Sequence, residues 1–175
     1  IFFQDTYYFI KGSSDLDILQ RAYKTMQNHL QNYWSERVES LPLNTPYEAL
    51  ILASIIEKET GAESDRAEIA GVFINRLRKG MKLQTDPTVI YGLGEQFDGN
   101  LRKKDLLADQ EYNTYTRAGL PPTPISLPSL ASIRAALNPA ETDALYFVAK
   151  GNGESEFSTN LADHNKAVNK YQKQQ

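Results

Sequence analysis

Thr45-Pro-Tyr-Glu-Ala-Leu-Ile-Leu-Ala-Ser-Ile-Ile-Glu-Lys-Glu-Thr-Gly61 reads as one capped helix that carries two carboxylates to the end of a strongly apolar segment. Thr45 is placed to accept a bond from the first turn, Pro46 tolerates the first helical position, and Glu48 stands three residues after the cap. Gly61 supplies the stop. Successive helical residues turn by roughly 100°, so positions 52, 55, 56 and 59 share a stripe and Glu57 lies about 200° from Glu59. Glu59 thus extends the face of Leu52, Ile55 and Ile56. A carboxyl held against apolar side chains loses hydration, which disfavours its charged form and raises its pKa towards the range of a general acid. Glu57 lies below the weaker stripe of Leu50, Ala53 and Ser54, turned to solvent or a polar partner. The competing interpretation is a solvated helix end, with Glu57, Lys58 and Glu59 present for solubility.

A chain of 175 residues suits a single domain with a sizeable core, and residues 1–175 are expected to form one unit. Its 41% hydrophobic and 23% charged residues are ordinary for a water-soluble chain. A net charge of −3 disfavours nucleic acid, whose polyanionic backbone calls for a basic surface. The absence of cysteine removes disulfides, thiolate metal sites and thiol nucleophiles, and two histidines are too few for a zinc site. No metal or cofactor is therefore expected. No apolar run approaches the roughly 18 residues of a membrane span. The chain opens at Ile1-Phe-Phe-Gln4 without Met, as an excised piece of a longer protein would.

Upstream of the central helix lie an aromatic extended segment from Phe2 to Ile10 and a helix capped by Ser14. That helix carries Leu19, Tyr23, Met26, Leu30 and Tyr33 or Trp34 as an inward stripe. A polar link runs from Glu36 to Asn44. Downstream, Asp65 to Lys79 is a helix with Ile69, Val72, Phe73 and Leu77 inward, ended by Gly80. The two central helices form a hairpin whose loop, Gly61 to Ser64, leaves Glu59 at a place where a cleft can open.

From Met81 to Ile125 periodicity is lost, and the composition turns to Gly, Pro, Thr, Asn and Tyr. Leu83-Gln-Thr-Asp-Pro-Thr-Val-Ile-Tyr91, Tyr112-Asn-Thr-Tyr-Thr116 and Gly119-Leu-Pro-Pro-Thr-Pro124 concentrate short hydrogen-bonding side chains beside rings. Amides and hydroxyls suit sugar hydroxyls, and flat faces suit the C–H faces of sugar rings. The plainer interpretation is a capped loop, with Asp86 before Pro87 making a turn and Asn113 capping a bend. Beyond it, Leu130, Ile133 and Leu137 mark a short helix ended by Asn138-Pro139. Leu145 to Lys150 and Glu156 to Thr159 read as strands joined at Gly151-Asn-Gly153. A terminal helix from about Leu161 to Gln174 is capped by Asn160, and His164 in its first turn reads as a surface or capping residue. The fold class is α+β, a helical hairpin and further helices packed on a small, mainly antiparallel sheet. No phosphate-binding glycine loop or serine-hydrolase elbow is found.

Ala53-Ser-Ile-Ile-Glu-Lys-Glu-Thr60, Val72-Phe-Ile-Asn-Arg-Leu-Arg78, Leu83-Gln-Thr-Asp-Pro-Thr-Val-Ile-Tyr-Gly92, Tyr112-Asn-Thr-Tyr115, Gly119-Leu-Pro-Pro122, Tyr146-Phe-Val148 and Phe157-Ser-Thr-Asn160 together resemble the MltG (YceG-like) family of endolytic murein transglycosylases. The resemblance covers nearly the whole chain. It implies cleavage within peptidoglycan between N-acetylmuramic acid and N-acetylglucosamine, leaving a 1,6-anhydro-muramyl end, with the second Glu of the Glu-Lys-Glu motif, Glu59, as catalytic acid. Gln84, Thr85, Asp86, Tyr91, Asn113, Tyr115 and Asn160 are the residues expected to orient the strand, assigned by chemistry and loop position. The resemblance also implies an N-terminal inner-membrane anchor and a LysM-like segment absent from this chain, a place at the periplasmic face of that membrane, and glycan strands as partner, with peptidoglycan synthases as further candidates. Two other classes stay open: a lysozyme-like hydrolase using Asp86 or Glu57 as second carboxylate, and a noncatalytic glycan-binding scaffold module.

Overall fold

A computed structural model describes residues 1–60 and 62–172. The expected stop at Gly61 and the end of the terminal helix at Gln174 lie outside the described residues. Seven α-helices and one two-stranded sheet are present among the described residues: α1 (Asp15–Ser35), α2 (Pro46–Glu59), α3 (Arg66–Arg78), α4 (Asp86–Leu93), α5 (Lys103–Leu107), α6 (Leu130–Leu137), β1 (Tyr146–Ala149), β2 (Ser155–Ser158) and α7 (Leu161–Tyr171). The class is α+β, as the alternation of patterns suggests. The strands pair antiparallel, with Tyr146 opposite Ser158 and Ala149 opposite Ser155.

α2 forms where its caps dictate: Thr45 accepts from the Glu48 backbone N–H, and Pro46 opens the first turn. It is the central helix, buried continuously from Ala49 to Ile56, so its apolar character reflects contact on every side rather than a single stripe. α6 packs across it most extensively, with α1 and α3 alongside. Fully buried Leu52, Ile55, Ile56, Ile69, Phe73, Ile133 and Leu137 fill the space between them. Shielding side chains of this size contributes roughly 1.5–3 kcal/mol each, so this helical layer dominates stability. The sheet sits at its edge, covered by α7 and touched by α3.

Three expectations change. The stripe on α1 holds for Met26 and Leu30, but Leu19 and Tyr23 are 44% and 47% exposed because the N-terminal half of the helix projects beyond the core. Leu77 is only partly buried against that core. The segment after Met81 is not wholly irregular, since Asp86–Leu93 is a helix with Pro87 in its first turn. Proline at that point removes a donor that has no intrahelical partner anyway, so the Asp-Pro pair starts a helix instead of a turn.

Two features lay the chain from 139 to 145 along α3 and so deliver β1 to the site. Asn75 donates its amide to the carbonyls of Thr142 (2.6 Å) and Ala144 (3.1 Å). Gly71 permits the close approach: a Cβ there would stand 2.7 Å from Thr142 Cγ2 and 2.8 Å from the Ala140 oxygen.

Candidate active site

Glu59 is the last residue of α2, where the helix emerges from the core. Its carboxyl accepts a hydrogen bond from the Thr85 hydroxyl. Thr85 is itself buried, fixed by its backbone N–H donating to Thr114 Oγ1 (3.1 Å). The residue before it, Gln84, has φ of +51°, a left-handed conformation that costs a non-glycine residue about 1–2 kcal/mol. Its N–H bonds the Thr114 carbonyl (3.1 Å), which holds the strained turn against the loop carrying Tyr115.

Burial pushes the Glu59 carboxyl above its ordinary 4.5. The Thr85 bond opposes that shift, the negative charge of Asp86 adds to it, and the more distant Arg76 opposes it. Burial is the largest of these influences, so the net shift favours the protonated form. Tyr115 donates to Asp86 Oδ1 at 2.5 Å, and burial together with that bond raises the phenol's pKa, so the proton stays on the tyrosine.

Glu59, Gln84, Asp86 and Tyr115 line one cavity of about 450 Å³. Its opposite wall comprises Tyr146 to Ala149 of β1 with Leu161, His164 and Val168 of α7. A space of this size with mixed polar and aromatic walls suits one or two sugar rings. A second depression, of about 530 Å³, lies between α3 and the 139–143 segment and contains none of these residues.

The remaining candidates lie elsewhere. Asn113 is fully buried, and its amide donates to the carbonyls of Asp105, Leu106 and Ala108 (3.2, 3.1 and 2.7 Å). Its carbonyl accepts from the Tyr115 backbone N–H (2.8 Å), so it shapes the loop that presents Tyr115. Tyr91 is 46% exposed on α4, its ring 4.9 Å from that of Tyr112. Asn160 caps α7 through Asp163 N–H (2.9 Å) and is exposed. None of the three lines the cavity.

Glu57 faces the other way. One oxygen of its carboxylate accepts from Ser129 N–H (3.0 Å), Ser129 Oγ (2.6 Å) and Ser132 Oγ (2.5 Å) at the start of α6. Burial favours its neutral form, but these bonds outweigh burial and hold its pKa below 4.5. The two carboxyls of the motif are thus driven apart: the surroundings of Glu57 favour its ionised form, and those of Glu59 favour its protonated form.

Arg76 and His164 are not among the residues expected to orient the strand, His164 reading from the sequence as a surface or capping residue, yet both line the cavity. Arg76, in the last turn of α3, is 7% exposed and reaches the cavity between the carbonyls of Leu145 and Leu83. The His164 ring stacks on Tyr146 (5.2 Å between centroids, 25° between planes). Burial and the Arg76 charge hold its pKa below the ordinary 6.5, leaving a neutral imidazole in the wall.

Among the described residues no His, Cys, Asp and Glu group has metal-binding geometry, and no helix is long and apolar enough to cross a membrane.

Residues 1–170 match the YceG-like family. A Bacillus subtilis (strain 168) protein named endolytic murein transglycosylase is 44% identical over 170 residues, covering 97% of this chain and 46% of its own length. A protein of the same name from Streptococcus pneumoniae serotype 2 (strain D39) is 34% identical over 168 residues, covering 92% of this chain and 30% of its own. The chain thus spans less than half of these relatives. A crystal structure of a YceG-like protein from Listeria monocytogenes superposes with a TM-score of 0.81 at 41% identity, over 94% of this chain and 54% of that one.

Proposed function

Because this chain belongs to the YceG-like family, we propose that residues 1–175 form the catalytic unit of an endolytic lytic transglycosylase acting on peptidoglycan. The observation that carries the reading is the combination at Glu59: a carboxyl whose burial favours its protonated form, lining a cavity wide enough for sugar rings.

Neutral Glu59 protonates the glycosidic oxygen between N-acetylmuramic acid and N-acetylglucosamine as the C1–O bond breaks. Positive charge develops at C1 and the ring oxygen of the muramic acid. Glu59, now ionised, takes the proton of that sugar's own C6 hydroxyl, whose oxygen attacks C1 and closes the 1,6-anhydro bridge. One carboxyl serves as acid and then as base, and no water is consumed. Thr85 aims the carboxyl and supports its ionised phase through the hydrogen bond it already donates. Asp86, held by Tyr115, places negative charge near the developing cation, and Gln84 offers an amide to ring hydroxyls. The place of action is the cell envelope, at the periplasmic face of the inner membrane, with glycan strands as substrate and peptidoglycan synthases as companions.

Asp86 in the same cavity supports a second reading, a hydrolase in which that carboxylate directs water to C1. Digesting purified glycan strands in 18O-enriched water separates the two. The transglycosylase releases anhydro ends that lack one water and carry no label, whereas the hydrolase releases labelled reducing ends. Glu59→Gln is expected to remain folded and to release neither product. Unchanged cleavage by that variant would overturn the assignment of Glu59.

A further inference from the structure

Resting on that reading, we infer that Arg76 is the receptor for the lactyl group of the muramic acid ring, and so selects which of the two alternating glycosidic bonds is cut. The two sugars of the strand differ only in the lactyl ether on O3 of the muramic acid. An enzyme that cuts one kind of bond must read that group. Its acyl end is a carboxylate when the peptide stem is absent and an amide carbonyl when the stem is present. Either is an acceptor, and the carboxylate is also an anion.

Among the described residues that line the cavity, Arg76 is the only lysine or arginine. Its Nε donates to the Leu145 carbonyl (2.7 Å), and its Nη1 donates to the carbonyls of Leu83 (2.8 Å) and Lys82 (3.2 Å). Nη2 has no protein partner among the described residues and is not fully enclosed, and the residue lines the cavity. The guanidinium is held by three carbonyls before any ligand arrives, which lowers the ordering cost of binding.

It also makes no direct ion pair. No carboxylate stands within 4 Å of it among the described residues, and Asp86 in the same cavity directs one oxygen to the Tyr115 hydroxyl. A cation buried to this degree without a directly paired carboxylate is costly, and an incoming carboxylate would complete it. Planar guanidinium and carboxylate match in shape, which favours arginine over lysine for the task.

The test measures binding by calorimetry in the Glu59→Gln background, where cleavage cannot consume the ligand. Three ligands of equal length are compared: a stem-free alternating tetrasaccharide with lactyl carboxylates, the same compound with lactyl methylamides, and a tetramer of N-acetylglucosamine. The carboxylate form is expected to bind best and the lactyl-free tetramer worst. Adding Arg76→Gln should weaken binding of the carboxylate form about 10- to 100-fold, with little change for the lactyl-free tetramer. Arg76→Lys should recover part of the loss. An equal weakening of all three ligands would show that Arg76 only supports the fold, and the inference would fall. If Arg76→Gln does not fold, the Glu59→Gln protein alone decides, because equal affinity for the carboxylate and lactyl-free ligands also overturns it. Lactyl-dependent binding through Arg76 without anhydro products from the wild type would sink the transglycosylase reading and spare the receptor. Anhydro products without lactyl-dependent binding would do the reverse.

Discussion

Glu57→Gln separates the two carboxyls of the motif most cleanly. The carboxylate of Glu57 accepts three hydrogen bonds on one oxygen, at 2.5 to 3.0 Å, from the first turn of α6. Hydrogen bonds to a charged acceptor contribute about 1.5–3 kcal/mol each, against about 1 kcal/mol for neutral pairs. Glutamine keeps one acceptor oxygen but loses the charge and its attraction to the helix N-terminus, worth about 0.3–1 kcal/mol. Glu57 is half-buried, so solvent screens part of this difference. The net cost should be about 1–2 kcal/mol at pH 7, a fall in Tm of about 2–8 °C for a chain of this size. Glu57→Ala leaves three donors without their acceptor and should cost about 3 kcal/mol. The pH dependence gives a second check. Because the folded-state pKa is depressed, the stabilisation is present above the unfolded value of 4.5 and lost as pH falls through the folded value. Urea unfolding of wild type and variant at pH 7 and pH 3 measures both. A Glu57→Gln protein within 0.3 kcal/mol of wild type at pH 7, or a deficit that does not shrink in acid, would refute the anchor. Retention of anhydro products by this variant would also exclude Glu57 from the chemistry.

Glu59→Gln carries the opposite sign. A carboxyl whose folded pKa is raised stabilises the fold below pH 4.5 and loses that contribution as pH rises through the folded value, so the variant should match or exceed wild-type stability at pH 8 in urea titrations. Thr85→Val removes the bond that lowers the Glu59 pKa, and the alkaline limb of the kcat profile should move to higher pH while kcat drops about 10-fold; Thr85→Ser should restore both. Gln84→Gly relieves the left-handed backbone and should raise stability by about 1 kcal/mol in denaturant melts while cleavage of glycan strands declines. Tyr115→Phe frees Asp86 and should reduce kcat/KM about 10-fold with Tm unchanged within about 2 °C.

The order of elements could be read largely from local signals. Thr45, Pro46 and Glu48 mark the start of α2, Ser14 and Asp17 cap α1, and Gly151 and Gly153 flank the hairpin turn. These signals act within one turn of chain and need no knowledge of the rest. α4 was hidden because eight residues give too little periodicity and its Asp-Pro start is shared with turns. The polar partner of Glu57 could be anticipated as a class but not named, since Ser129 and Ser132 come 72 and 75 residues later. Arg76 carries no local signal that separates it from the other charges of its helix. Its burial arises from the Leu145 carbonyl, 69 residues away, and from the turn at Leu83. His164 was weighed as a surface or capping residue and lines the cavity because α7 lies along β1. Asn113 and Asn160 show the converse: side chains chemically suited to sugars are spent on the backbone of their own loops. Residue type pointed to the chemistry, whereas the direction each side chain faces is a property of contacts distant in sequence.

The protonation state of Glu59 is the point on which the catalytic account turns. Carbon-13 NMR of protein labelled at glutamate carboxyl carbons, with the Glu59→Gln variant to assign the resonance, follows that group directly through a pH titration. The account predicts a midpoint clearly above 4.5, with Thr85→Val moving it higher still. A midpoint at or below 4.5 would mean that burial does not favour the protonated form, and the assignment of Glu59 as general acid would fall.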